Sequence, residues 1–175
     1  MTAATGSRAP AALRWGIGCA ALVIGLGVTM CRPPQPRFVW NVSASAPIGL
    51  WFVAPDAAID RGDMVVARLP SQWRAMASRR RYLPANVPLI KRVAAVSGDT
   101  ICADGPRIRV NGVVVAEGLQ HDKSGRSLPS WPGCRLLRNG ALLLLMEHPA
   151  SFDGRYFGPT QHTDIIGRAA PLWVR

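Results

Sequence analysis

Residues 107–115 have the sequence Arg-Ile-Arg-Val-Asn-Gly-Val-Val-Val, two strand-like runs joined by Asn111-Gly112. Asn-Gly readily adopts the two positive φ angles of a tight hairpin turn, and β-branched residues favour extended strands. The stretch therefore predicts a β-hairpin. The wider sequence agrees, because 17 glycines and 15 prolines divide it into short apolar runs rather than long helical patterns.

Further strands are expected on both sides of this hairpin. Four apolar segments predict strands, at residues 63–69, 89–96, 141–146 and 164–174. One helix is expected after Pro70, with Ser71 as its cap and an end near Arg81. Residues 117–135 show little pattern and predict a long loop. The region 38–175 is thus expected to form one mainly β domain.

The N-terminal region has a different character from the rest of the chain. Residues 15–31 contain no charged side chain and are almost wholly apolar. As a helix they would span about 25 Å, slightly less than a ~30 Å hydrocarbon core, and residues 11–13 would extend them. We expect an uncleaved transmembrane anchor, because no small-residue cleavage site follows closely. A buried helix of a soluble protein is the alternative.

The expected organisation has four parts. A short cytoplasmic N-terminus covers residues 1–14, the anchor 15–31, a stiff proline-rich linker 32–37, and a periplasmic β domain 38–175. Charge is a poor guide to the orientation, because arginines stand on both sides of the apolar segment.

The composition is strongly basic, with a net charge of +11. Basic chains are drawn to nucleic acids or anionic lipids. Here the arginines are scattered, with the densest run at residues 79–81, and neither an RNA-binding signature nor zinc-ligand spacing occurs. We therefore expect no nucleic-acid partner, no metal and no other cofactor.

Two of the four cysteines are candidates for a disulfide. Cys102 and Cys134 flank the hairpin and the loop, and both follow the expected anchor. In an oxidising compartment their bond would close a loop of about 30 residues and contribute roughly 3 kcal/mol or more. Two unrelated reduced thiols are the alternative. Cys19 lies inside the expected anchor and Cys31 at its edge, so neither is expected to be catalytic.

Lysine is rare in this chain. Only two of the 21 basic residues are lysines, Lys91 and Lys123, and codon bias in a GC-rich genome accounts for most of this skew. Lys91 nevertheless stands within the apolar run 88–96. A buried lysine can lose its proton near neutral pH, whereas arginine cannot, so Lys91 is a candidate general base. Lys123 lies in a polar segment, where solvation predicts that it is dispensable.

Three segments concentrate the other unusual residues. They are Asn-Val-Ser-Ala-Ser-Ala-Pro-Ile-Gly-Leu-Trp at 41–51, Pro-Leu-Ile-Lys-Arg-Val-Ala-Ala-Val-Ser-Gly-Asp at 88–99, and Ser-Phe-Asp-Gly-Arg-Tyr-Phe-Gly-Pro at 151–159. Taken alone, a serine–proline turn or a single lysine on a strand is a weak signal. In this order, behind an apolar N-terminal segment, the three together are much more specific.

Together these segments resemble the type I signal peptidase family, most closely its conjugative-transfer branch, the TraF-like peptidases. The first segment is similar to that branch's nucleophile box, the second to the lysine box and the third to the last box of the family. The resemblance covers nearly all of residues 38–175 and the expected anchor, and it implies a signal-peptidase-like β-sheet domain. Met-Glu-His-Pro at 146–149 departs from the Gly-Asp-Asn of ordinary signal peptidases.

The resemblance implies a Ser-Lys dyad, with Ser45 as the nucleophile and Lys91 as its general base. A serine hydroxyl attacks poorly until a neighbour accepts its proton, and a neutral amine can do so. The resemblance also makes the Ser45 backbone N–H and the Ser43 hydroxyl donors to the oxyanion. A hydroxyl that only stabilises the turn is the alternative for Ser43.

The last segment would form one wall of the site. Ser151 would orient the Lys91 amine, while Asp153 and Arg155 would pair and hold the wall in place. Asp153 could instead take a more direct part, and the sequence leaves both roles open. The three histidines stand in no triad-like setting and are expected to be ordinary surface or loop residues: His121, His148 and His162.

The implied function is that of a membrane-anchored serine endopeptidase with its catalytic domain in the periplasm, held by one span in a bacterial inner membrane. Its partners would be membrane lipid and a pilin precursor, or another exported preprotein, with small residues before the scissile bond. The acyl-enzyme would be released by water, or captured by the substrate's own amino terminus to give a cyclic product. A general signal peptidase and a non-catalytic membrane-anchored assembly protein are the alternatives.

Overall fold

The computed structural model describes residues 11–31 and 36–175. The chain divides into two compact units, Met1–Gln35 and Pro36–Arg175. Helix α1, Ala11–Cys31, lies in the first unit and contains the expected anchor. Within the described parts of the chain, no helix combines the length and apolar character that crossing a membrane requires. Most of the expected linker, and residues 1–10, lie outside the described residues.

The second unit is built mainly from antiparallel β-strands. Its described strands are β1 Phe38–Asn41, β2 Gly49–Ala54, β3 Met64–Ala67, β4 Leu89–Ala95, β5 Thr100–Asp104, β6 Arg107–Val110, β7 Val113–Glu117, β8 Gly133–Leu136, β9 Leu143–Leu145 and β10 Ile165–Val174. Its helices are α2 Ser71–Arg79, α3 Gly154–Phe157 and the 3-10 turn His162–Asp164. The larger sheet has the order β1-β2-β10-β3-β4-β9, and the smaller one β7-β6-β5-β8. The mainly β class expected from the sequence is confirmed.

The larger sheet buries its core through strand alternation. On β2 every second residue is buried, so that Trp51 and Val53 pack with Val66 and Ile90 of neighbouring strands. Strand β4 lies between β3 and β9 and is almost wholly buried, with Arg92 its exposed residue. A lysine on this strand is consequently removed from water by the sheet itself.

The predicted hairpin is present. Strands β6 and β7 pair antiparallel, and Val110 faces Val113 across the turn. Asn111 and Gly112 adopt φ angles of 50° and 83°, as the Asn-Gly sequence requires. The four other predicted strands also form, in shortened versions: β3, β4, β9 and β10.

The expected loop over 117–135 ends earlier than predicted. Residues Gly133–Leu136 form β8, which pairs with β5 and places Cys134 opposite Cys102. All four β8 residues are exposed, so the strand carries no alternating pattern that a sequence could reveal. Pairing across the sheet and the Cys102–Cys134 disulfide hold it instead.

The predicted helix after Pro70 is present, but its cap is wrong. Ser71 is the first helical residue, and the boundary residue Pro70 makes no side-chain capping bond. Proline is well suited to a helix start, because its φ is fixed near the helical value. The N–H that it lacks would have no partner within the helix at this position. The helix ends at Arg79, two residues early, and Arg81 adopts a φ of 59° that the α-helix cannot continue.

The turn between β1 and β2 depends on one glycine. Gly49 has a φ of 142°, and a Cβ added there would lie 2.0 Å from the carbonyl oxygen of Trp173. This position tolerates only glycine, because the C-terminal strand β10 passes directly against the backbone. The close approach holds the segment that carries Ser45 against the larger sheet.

We predict that replacing Cys102 and Cys134 together by serine lowers the free energy of unfolding by about 3 kcal/mol, because the bond closes a loop between β5 and β8. Denaturant unfolding of the two proteins measures this difference. Non-reducing mass spectrometry after alkylation should also show the bond in protein taken from cells. Free thiols at both positions, or equal stability of both proteins, would contradict the prediction.

Candidate active site

The turn after β1 is organised by Asn41, the last residue of that strand. Its side-chain nitrogen contacts the carbonyl oxygens of Ser43, Ala46 and Pro47 at 2.9, 2.9 and 3.0 Å. Its side-chain oxygen accepts the Ser43 backbone N–H at 3.0 Å. The Asn41 side chain thus replaces backbone partners that this irregular segment lacks. Sequence reasoning assigned no role to Asn41, although its position at the head of the first segment was a usable signal.

The indole of Trp51 supports the same turn from below. Trp51 is almost fully buried on β2, and its Nε1–H donates to the carbonyl of Pro47 at 3.1 Å. A rigid aromatic side chain anchored in the core therefore fixes the segment that precedes β2.

The structure brings Ser45, Lys91 and Ser151 together from three distant parts of the chain. Lys91 is 3% exposed, and its Nζ lies 2.9 Å from Ser45 Oγ and 2.8 Å from Ser151 Oγ. In the neutral amine the nitrogen lone pair can accept the Ser45 hydroxyl proton, while an amine N–H donates to Ser151. These contacts set the amine between a hydroxyl that can lose a proton and one that orients it.

Burial changes the protonation of the Lys91 amine. Desolvation lowers the pKa of Lys91 from 10.5 to about 8, with a smaller lowering by the positive charge of Arg155 and an opposing rise from Asp153. At pH 7 a group with this pKa is neutral in about a tenth of the molecules, against less than about a thousandth for an exposed lysine. The lowered pKa therefore makes the amine able to accept a proton near neutral pH.

The two serines of the turn contact each other. Ser43 Oγ lies 2.9 Å from Ser45 Oγ, and the Ser45 backbone N–H donates to Ser43 Oγ at 3.3 Å. The two groups expected to bind an oxyanion are thus adjacent, but one is hydrogen-bonded to the other. Stabilising an oxyanion would require the Ser45 N–H to exchange this long bond for one to the substrate oxygen.

Asp153 and Arg155 form a buried ion pair. Asp153 is fully buried and Arg155 is 5% exposed, and they contact at 2.8 Å. Both Asp153 oxygens are occupied, since one accepts the Arg155 backbone N–H and Nε–H and the other accepts the Met146 N–H and Arg155 Nη2–H. Removing either partner would leave an uncompensated buried charge, at a cost of about 3–5 kcal/mol.

The pair also holds the segment that departs from ordinary signal peptidases. The Arg155 guanidinium donates to the backbone carbonyls of Met146 and His148. The His148 carbonyl in turn accepts the Ser151 N–H at 3.0 Å, and the Nδ1 atom of the His148 ring accepts the Ala150 N–H at 3.1 Å. Ser151 is therefore placed by a turn whose far side is bound by the ion pair.

A groove of about 720 Å³ runs over the three residues of the site, bordered by the turn on one side and by the start of β4 on the other. Two residues that the sequence separated from the chemistry also line it, His148 and Lys123. Lys123 was expected to be dispensable because of its polar setting, and this stays a prediction. The structure adds that its loop folds back towards Phe152 and brings Lys123 to the groove. The described residues contain no group of three or more acidic, histidine or cysteine side chains able to hold a metal ion.

The chain is similar to several known proteins. A family profile described as "Signal peptidase, peptidase S26" matches residues 12–173. A plasmid transfer protein TraF of Escherichia coli is 30% identical over 143 residues, 75% of this chain and 80% of the relative. A conjugal transfer protein TraF of Agrobacterium fabrum is 31% identical over 148 residues, 77% of this chain and 81% of the relative.

Two further matches complete the comparison. A probable conjugal transfer protein TraF of Sinorhizobium fredii is 32% identical over 168 residues, 85% of this chain and 87% of the relative. A solved signal peptidase I of Enterococcus faecalis is 19% identical, with a TM-score of 0.35, over 64% of this chain and 97% of that chain. The latter similarity is too remote to support an inference. By its family profile and its TraF relatives, the chain belongs to the signal peptidase family, peptidase S26.

Proposed function

We propose that this chain is a serine endopeptidase that uses Ser45 and Lys91 as a catalytic dyad. One observation carries the proposal: a buried amine of lowered pKa lies 2.9 Å from a serine hydroxyl at the floor of a groove. Family membership agrees with peptidase chemistry. A non-catalytic assembly protein would gain nothing from burying a lysine against two hydroxyls, because burial of an amine costs stability.

The first chemical step forms an acyl-enzyme. Ser45 Oγ bonds to the scissile carbonyl carbon while its proton passes to Lys91 Nζ. The tetrahedral oxyanion is bound by the Ser45 N–H and the Ser43 hydroxyl, once the former releases Ser43 Oγ. The carbon–nitrogen bond then breaks, and the departing amine takes the proton held by Lys91. Ser151 keeps the amine aligned through both proton transfers.

The second step returns the enzyme to its initial state. A water molecule attacks the ester, gives one proton to Lys91 Nζ and forms a carboxylic acid as the bond to Ser45 Oγ breaks. The proton on Lys91 passes back to Ser45 Oγ. The substrate's own amino group can attack in place of water. The same proton transfers then leave a new peptide bond, and the cyclic product is one water lighter than the linear product of hydrolysis.

We further propose that the substrate is a pilin precursor of a conjugation system. The relatives that cover most of this chain are named plasmid or conjugal transfer proteins. The segment 146–149, which differs from ordinary signal peptidases, forms part of the site wall through Arg155 and His148. A general signal peptidase is the second candidate, since the chemistry would be the same. The mass of a co-expressed candidate pilin distinguishes processing, cyclisation and no reaction.

The proposed location is the bacterial inner membrane, with the β domain in the periplasm. Large apolar side chains are exposed along α1, including Trp15, Leu22 and Val23 at 76, 69 and 68%. Exposing this much apolar surface to water is unfavourable, whereas lipid accommodates it. The Cys102–Cys134 bond is of a kind that persists in oxidising compartments such as the periplasm.

Ser45→Ala should reduce cleavage of a co-expressed candidate pilin precursor by at least about a thousandfold, because it removes the hydroxyl that forms the ester. The protein should still fold, since the change removes one oxygen from an exposed turn. Mass spectrometry of the substrate and circular dichroism of the enzyme measure the two effects. Processing at the wild-type rate in a folded Ser45→Ala protein would rule out this nucleophile.

Lys91→Arg keeps the positive charge, yet it should abolish activity to a similar extent, because a guanidinium offers no free lone pair at working pH. In the wild type, kcat/KM should rise with pH up to about 8 and then level off, since only the neutral amine accepts the Ser45 proton. Initial rates between pH 5 and 10 test this.

Two controls accompany the Lys91 measurement. Lys91→Met is apolar and similar in length, so its folding and inactivity show that the loss does not come from a misplaced guanidinium. Arg138→Lys is an equally conservative exchange at an exposed residue that lines neither the groove nor the turn, and it should keep wild-type activity. Substantial activity in Lys91→Arg, or a flat pH profile, would refute the base assignment.

The location can be tested on the full chain by fractionation. Wild-type protein should resist alkaline extraction from the membrane, whereas Leu22→Asp combined with Val23→Asp should be released, because carboxylates on the apolar helix α1 are unfavourable in contact with lipid. Val113→Asp places the same charge on an exposed residue of the smaller sheet and should remain in the membrane. Wild-type protein in the soluble fraction would contradict the proposal.

A further inference from the structure

A second cavity lies beside the catalytic groove. Its volume is about 280 Å³, and it lies between the rings of Tyr82, Phe152 and Tyr156 and the loop that carries Leu119, Lys123 and Leu128. None of these residues takes part in the Ser45–Lys91 chemistry. The walls are mostly aromatic and aliphatic, as in sites that take up an apolar group.

The cavity adjoins the groove. Tyr82, Lys123, Ala150 and Phe152 line both spaces. Ala150 and Phe152 flank Ser151, whose hydroxyl contacts the Lys91 amine. A polypeptide that occupies the groove would therefore pass the mouth of the cavity within a few residues of its scissile bond.

The walls of the cavity are held before any substrate arrives. The Tyr82 and Phe152 rings lie 4.9 Å apart, and the Phe152 and Tyr156 rings stack at 5.7 Å and 5°. Asp122 ties the loop to this aromatic cluster, since its carboxylate accepts the Tyr82 hydroxyl and the Arg126 Nε–H at 2.5 and 2.7 Å. The Leu119 N–H donates to the Tyr156 hydroxyl at 3.0 Å. Such preorganisation lowers the entropic cost of binding.

The charges around the cavity are not equally available. Arg126 pairs with Asp122, and the Arg80 guanidinium donates to the Ser127 carbonyl. Lys123 is exposed, and no carboxylate among the described residues pairs with it. An amine at the mouth of an apolar cavity can pair with a carboxylate carried by the same ligand.

We propose that this cavity is a specificity subsite of the peptidase. It takes a large apolar side chain of the protein substrate, aromatic or branched, at a position removed from the small residues before the scissile bond. Lys123 pairs with a carboxylate next to that side chain. The inference rests on the proposed endopeptidase function, and it adds a second recognition point that a small-residue cleavage motif alone does not provide.

A panel of amidated, internally quenched peptides tests the subsite. Each carries Ala-Ser-Ala before the scissile bond, and Phe-Glu is moved one position at a time through the flanking residues, with Ser-Glu and Phe-Gln versions as references. In the wild-type full chain, Phe at one or two of these positions should give a kcat/KM about tenfold higher than Ser at the same position, because KM is lower. At the same positions, kcat/KM should be about threefold higher for the peptide with Glu than for the peptide with Gln. A version with a free C-terminus shows whether a terminal carboxylate can replace the Glu side chain.

Two variants connect the preference to the cavity. Leu128→Trp fills it, so the Phe-to-Ser ratio should fall to about one. Lys123→Glu reverses the charge at the mouth of the cavity, so kcat/KM should then be higher for the peptide with Gln than for the peptide with Glu. Arg138→Glu makes the same change of charge on an exposed residue that lines neither space, and it should leave both ratios unchanged. Circular dichroism confirms that each variant is folded.

The experiments give different results if the subsite proposal is wrong and if the peptidase proposal is wrong. Binding of the same peptide sequences, carrying the fluorophore without its quencher, to the Ser45→Ala protein reports the subsite without cleavage when it is followed by fluorescence anisotropy. Cleavage of the panel with no positional preference, or a preference that Leu128→Trp leaves intact, would overturn the subsite alone. Binding that depends on Phe in the absence of wild-type cleavage would keep the subsite and overturn the peptidase. Neither cleavage nor binding would overturn both.

Discussion

Removal of the Lys91 amine from water is the constraint on which the rest of the site depends. A charged amine is stabilised by hydration, so a strand that excludes water shifts the group towards its neutral form. Strand β4 does this because β3 and β9 cover it on both edges and the core covers its faces. The sheet therefore acts on the chemistry directly, by setting the proton affinity of one nitrogen.

The surrounding polar groups keep that nitrogen in place without reversing the effect of burial. Asp153 raises the pKa of Lys91, because its negative charge favours the protonated amine. Its pairing with Arg155 counters this, because the guanidinium occupies the carboxylate and its own charge lowers the pKa of Lys91. Through this arrangement Asp153 and Arg155 act in opposite directions on the pKa of the Lys91 amine.

Much of the fold could be predicted from local patterns, and the failures have physical causes. The Asn111-Gly112 hairpin and the buried strand β4 follow from short-range preferences that nothing later in the chain overrides. Strand β8 was missed because its exposed residues show no alternation and it is held by Cys134 and its neighbour β5. The anchoring turn of Asn41 was missed because hydrogen bonds from one side chain to several carbonyls leave no periodic signal.

By itself the sequence determined the residue types of the site and their order, because a lysine in an apolar run and serines beside a proline are visible without coordinates. It also determined the mainly β class, through turn residues and strand-length apolar runs. Only the tertiary structure decided that the Ser45 and Ser151 hydroxyls each lie within 3 Å of the Lys91 amine, that Lys123 reaches the groove, and that a second cavity adjoins it. The reason is that each contact joins segments tens of residues apart, whose relative placement follows from sheet pairing and core packing rather than from any local preference.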